Sequence, residues 1–281
     1  MLARCSILMG LIGFTFAPAA SAALQVFSAS AVNAAGITGT RDAFRTAVGG
    51  GVVSGANGSF GGVRREINWD GVPDTASAPN SLPANFFNVN SPRGVVFSTP
   101  GTGFALSMDN DTPADADPDL LNFSDVDPSY GSRFAPFSAQ RLFTPVGSNI
   151  MDVNFFVPGT ATPAFVSAFA GIFTDVNVAG ATSLQFFDTS NQSLGIIDAS
   201  VSSAQGFSFL GAAFDAGERI GRVRITSGNA ALAVGTVDNT PVGGTDLVVM
   251  DDFLYSEPIP EPAVTSLAAF ALLGLLRRRR P

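Results

Sequence analysis

From Arg219 the chain reads Arg-Ile-Gly-Arg-Val-Arg-Ile-Thr, with polar and apolar positions in near alternation. Successive side chains of a strand point to opposite faces, so this stretch predicts a strand with one wet face. Apolar stretches of similar length recur and predict further strands at 94–98, 104–108, 150–157, 165–173, 183–187, 193–198, 206–214 and 246–255. Between Phe187 and Leu194 lies a run of Asp, Thr, Ser, Asn and Gln, side chains that stabilise turns, which predicts a hairpin. Helical periodicity is nearly absent, and 41–48 is the one short helix the pattern supports. Residues 74–85 read as loop. Many short strands with so little helix predict an all-β fold, a two-sheet β-sandwich of jelly-roll type, with a closed barrel as the alternative. The 25 phenylalanines then belong between the sheets.

Both ends break the pattern. One positive charge at Arg4 precedes an apolar run over 7–16, and Ala20-Ser21-Ala22 offers the small residues a signal peptidase reads. A signal helix over 1–22, cleaved after Ala22, is expected. Cys5, the single cysteine, would leave with it, so disulfides play no part in the mature fold. At the other end an apolar stretch over 263–276 is followed by Arg277, Arg278, Arg279 and Arg280. As a helix its 14 residues would span about 21 Å against a hydrocarbon core of about 30 Å, a marginal anchor. The arginines snorkel and stay on the cytoplasmic side. Prolines on both sides of Glu261 stop the helix from extending backwards and leave a short extended segment. The organisation expected is 1–22 signal peptide, 23–62 an Ala/Gly-rich segment, 63–258 the β-sandwich and 259–281 the tail.

Pro260-Glu261-Pro262, an apolar segment and a terminal arginine block together resemble the PEP-CTERM sorting signal of bacterial exported proteins. The resemblance covers about the last 23 residues. It implies recognition of the tripeptide by an exosortase, transient anchoring in the inner membrane through the tail alone, and delivery to the cell surface or extracellular matrix. The stretches INWDGVPD, SPRGVVF, RVRITSGN and VVMDDFLY are similar to a domain of such proteins that has no assigned activity. The ending Val248–Phe253 also resembles the last strand of carbohydrate-binding jelly rolls, which implies a structural calcium at Asp251 and Asp252.

Charge narrows the partners. The chain has no lysine or histidine, 15 arginines and 23 acidic residues. Loss of Arg4 and the terminal four would leave ten arginines, a net charge of about −13 that repels phosphate backbones. Nucleic acid is therefore not an expected partner, whereas polysaccharide is. Without His, and with no Cys in the mature chain, serine or cysteine triads and His/Cys zinc sites are excluded. Absent lysine excludes Schiff bases. Glycoside hydrolysis needs only two carboxylates, and Glu66 with Asp70 or Asp252 would be the pair. Surface and turn carboxylates are the simpler reading, and no catalytic residue is assigned.

Oxygen donors concentrate at Asp109, Asp111, Asp115, Asp117 and Asp119, a set suited to calcium. Asp115, Asp117 and Asp119 match the first ligand positions of an EF-hand loop. Leu120 and Val126 occupy the places of its glycine and bidentate glutamate, so the segment is not an EF-hand. A solvated loop competes with the calcium site. Trp69 and Tyr130 are the aromatic residues around which a sugar-binding strip would form, although a core position suits Trp69 better. The expectation is an exported, non-enzymatic β-sandwich with a structural or adhesive role in the envelope or exopolysaccharide, with a carbohydrate-binding module as the alternative.

Overall fold

The computed structural model describes residues 24–108, 121–215, 217–240 and 244–261. In chain order these form β1 (Leu24–Ala31), α1 (Ala35–Val48), β2 (Ser59–Phe60), β3 (Arg64–Ile67), α2 (Phe86–Val89), β4 (Val95–Ser98) and β5 (Gly103–Leu106). Then come β6 (Phe143–Val146), β7 (Ile150–Phe155), β8 (Ala164–Phe165), β9 (Ala168–Thr174), β10 (Ser183–Asp188) and β11 (Ser193–Asp198). The last are β12 (Phe207–Phe214), β13 (Ile220–Thr226), β14 (Val249–Ser256) and β15 (Ile259–Pro260). One sheet runs β1-β12-β9-β14-β3-β2, with β6 joined to β14 and β5 to β6. The second runs β11-β10-β13-β7-β4, and β15 pairs separately with β8. The ladders between these strands are antiparallel. The chain is a mostly-β sandwich.

Alternation explains the layers. In β13, Val223 and Ile225 enter the core while Arg222 and Arg224 stay on the wet face, paired with Asp152 of β7. Phe169 and Phe173 of β9 and Met250 and Phe253 of β14 meet Val153, Leu184 and Phe186 of the smaller sheet. Removing each such side chain from water contributes about 1.5–3 kcal/mol. The whole of β9, AFAGIFT, is buried, because the opposite face of its sheet is covered as well. There Ile37 and Phe44 of α1 pack on Ile172, Phe209 and Leu254, and Phe44 meets the Phe27 ring edge-on at 5.4 Å.

Strands are present at all nine places the pattern marks, with bounds shifted by up to three residues and with 165–173 divided between β8 and β9. Ahead of residue 63, β1 makes an eight-residue ladder with β12, and α1 packs on the outer face of the same sheet. The helix expected at 41–48 begins at Ala35. Gly36, Thr38, Gly39 and Thr40 are poor helix formers, but burial of Ile37 and Phe44, two turns apart, outweighs their propensity. The expected signal helix and the apolar C-terminal helix lie outside the described residues. Among the described residues no helix is long and apolar enough to cross a membrane.

Candidate functional site: a polar cleft beside a bulge in β14

Strand β14 cannot keep a simple alternation. Met250 pairs with Phe173 and Phe253 with Gly171, so Asp251 and Asp252 together face a single residue of β9. That is a β-bulge, and it lets both Met250 and Phe253 point into the core although they are three residues apart. The Asp251 carbonyl accepts the indole N–H of Trp69 at 2.8 Å. The Asp251 carboxylate accepts from the Phe137 and Ser138 amides at 2.6 and 3.3 Å. The Ser138 hydroxyl lies 3.1 Å from an oxygen of each aspartate. Burial, with the charge of Asp252 beside it, pushes Asp251 well above the usual carboxylate range. Burial pushes Asp252 up to about 6. Two buried carboxylates on adjacent residues thus each make the other harder to ionise.

The rest of the site comes from β3 and the loop before β4. Alternation in β3 turns Ile67 inward and Glu66 towards α1. Arg45, in the last turn of α1, grips Glu66 through Nε at 2.8 Å and Nη2 at 2.6 Å, and Arg64 adds a third bond at 2.7 Å. Asp252, Glu66, Asn68 and Arg93 line one cleft of about 300 Å³. Asp70 sits nearby, accepting from the Arg141 amide at 3.2 Å and the Asn68 side-chain amide at 3.3 Å, and burial raises its pKa. Asn68 and Arg93 also line a second cleft of about 340 Å³.

The structure therefore gathers Glu66, Asp70 and Asp252, the three carboxylates the hydrolytic reading would use. Glu66 is clamped by two guanidiniums, and a nucleophile so held must first break three charge-assisted bonds. Asp251 and Asp252 are engaged by Ser138, and among the described residues no three Asp, Glu, His or Cys side chains converge to hold a metal. Asp109, Asp111, Asp115, Asp117 and Asp119 lie outside the described residues, as do Ala20, Ala22, Pro262 and Arg277–Arg280. Trp69 and Tyr130 form no surface strip; both are buried, the position favoured for Trp69. Trp69 is fully buried, stacked on Phe143 at 4.3 Å. The Tyr130 ring is buried with its hydroxyl 2.9 and 2.7 Å from the Ala233 and Thr236 carbonyls.

Arg45 carries no sequence motif, and Asn68 and Arg93, although they fall within INWDGVPD and SPRGVVF, were not among the expected site residues. The signal that could have found Arg93 is an arginine before a glycine at a strand start in a chain with so few cations. Compared with known proteins, the chain matches no family model, no curated protein and no solved structure.

Proposed function

We propose that this chain is an exported β-sandwich, sorted through a PEP-CTERM tail to the cell surface or extracellular matrix, where it has a structural or adhesive role. The observation that carries the reading is the position of the motif. Strand β14 ends the core at Ser256, Ile259 and Pro260 pair with β8, and the Glu261 amide donates to the Pro163 carbonyl at 3.1 Å. The two main sheets are thus complete by Ser256, before the tripeptide, whose first two residues rest against the 163–164 segment, and the apolar segment and arginines follow in sequence. Removal of the tail would leave the core untouched. The order β3-β14-β9-β12 facing β7-β13-β10-β11 supports a jelly roll. The clamped Glu66 supports a non-catalytic role, and the acidic balance suits a protein kept soluble outside the cell.

The test is Glu261→Ala in a host that carries an exosortase. The expected result is full-length protein retained in the inner-membrane fraction while the unaltered chain reaches the surface. Normal delivery of the variant would contradict the sorting reading. A second reading, carbohydrate binding, is favoured by the two polar clefts around Asn68 and Arg93.

A further inference from the structure

Arg93 is held in place from several sides. Its amide donates to the Phe87 carbonyl at 2.7 Å, and its carbonyl accepts the hydroxyl of the fully buried Tyr255 at 2.9 Å. Gly94 follows at φ 76°, where a Cβ would lie 2.3 Å from the Phe156 carbonyl. On the other side Gly58, at φ 63°, comes so close that a Cβ there would be 2.8 Å from the Arg93 Nε. The guanidinium lies over the Phe87 ring at 5.1 Å.

Its charge is nonetheless unanswered. Nε is buried with no hydrogen-bond partner, and the side chain makes no ion pair or hydrogen bond with any described residue. Arg45, Arg64 and Arg65, its neighbours, each hold a carboxylate. A guanidinium stays protonated in proteins, so a partly buried one without an acceptor is a standing cost to the fold. Burial, with Arg65 adding like charge, draws its pKa below the ordinary arginine value even though the Tyr255 side chain pulls the other way.

We propose that the cleft of about 340 Å³ beside Arg93 binds the carboxylate of an acidic saccharide, with Arg93 receiving the anion. No acidic residue lines this cleft. Asn68, Asn90 and Ser91 offer amides and a hydroxyl to sugar hydroxyls, and Val72, Pro73 and Phe86 offer an apolar wall to the ring. The planar guanidinium fork matches a carboxylate. The volume sits at the small end of ligand pockets, which suits one or two sugar units. Across the shared wall, Glu66 is neutralised by Arg45 and Arg64, whereas Asp252 and Asp70 remain near enough to oppose a second negative charge. A uronate, with a single charge on each carboxylate and one carboxylate per ring, is therefore preferred to phosphate, whose two charges sit on one group. The choice of a saccharide rests on the matrix reading above, while the anion site rests on Arg93 alone.

The experiment is calorimetric titration of the purified protein at low salt with trigalacturonate, with cellotriose as the neutral control and inorganic phosphate as the other anion. Trigalacturonate is expected to bind saturably and cellotriose not to bind. Arg93→Gln should weaken trigalacturonate by about tenfold or more. Asn90→Asp, a change at an exposed position, should do the same by giving Arg93 an internal partner, with a melting temperature no lower than that of the unaltered protein. Equal binding by both variants, or no binding of trigalacturonate, would overturn the site. Phosphate binding without trigalacturonate binding would overturn the saccharide. Arg93-dependent trigalacturonate binding in a chain whose Glu261→Ala variant still reaches the surface would support the site and contradict the sorting reading alone.

Discussion

Trp69 joins the core to the bulge, and replacing it with Phe separates the two contributions that hold that junction. The indole is fully buried among Phe87, Phe97, Phe143 and Phe253, and its N–H is given to the Asp251 carbonyl at 2.8 Å. Phe keeps the stacking plane but removes the donor, and a buried acceptor left unmet costs about 1–3 kcal/mol. The smaller ring also leaves a void of roughly 40 Å³, worth about 1 kcal/mol at 24 cal/mol per Å³. The sum is a loss of about 2–4 kcal/mol. Trp69 is the single tryptophan, so unfolding of the variant in urea must be followed by far-ultraviolet circular dichroism. In the unaltered protein the same residue should emit at short wavelength and resist quenching by iodide. A loss below about 0.5 kcal/mol, the range of an ordinary surface substitution, would refute both the burial and the tie to the bulge.

Stability should fall as pH rises. Asp252 and Asp246 are raised by burial to about 6, against about 4 in an unfolded chain. Between those values the folded state holds more protons, so the free energy of unfolding declines from about pH 4 to about pH 6. Urea midpoints should be higher at pH 4.5 than at pH 7.5, and Asp252→Asn should flatten part of the slope. A midpoint that rises with pH would contradict the burial of these acids. If Asp115, Asp117 and Asp119 hold calcium, millimolar calcium should raise the melting temperature by several degrees, since a ligand at a hundred times its dissociation constant adds about 2.7 kcal/mol. Asn at positions 115, 117 and 119 should abolish the rise, and an unmoved melting temperature would remove the calcium reading.

The layers of the sandwich were legible because a period of two survives wherever one face is wet. Arg222 and Arg224 against Val223 and Ile225 are the plainest case. Strand β1 was not legible: LQVFSASA is rich in small residues, and its partner β12 lies about 180 residues away. Only the pairing reveals it. The cleft divides in the same way. Glu66, Asp70 and Asp252 stand out as carboxylates in a chain with four glutamates. That Arg45 clamps the first from 21 residues away, and that the Tyr255 hydroxyl holds the Arg93 carbonyl from 162 residues away, depends on contacts remote in sequence, and only Arg64 is a near neighbour of Glu66. The adjacent aspartates 251 and 252 suggested a metal, but a bulge is an equally direct cause of two polar residues in mid-strand, and β14 contains one.

Export and sorting are the centre of this account, and intact mass spectrometry of the protein isolated from its own host tests them most directly. The predicted species starts near Ala23 and lacks the peptide carrying Arg277–Arg280. A population that keeps the tail on most molecules, in a host with an exosortase, would contradict it.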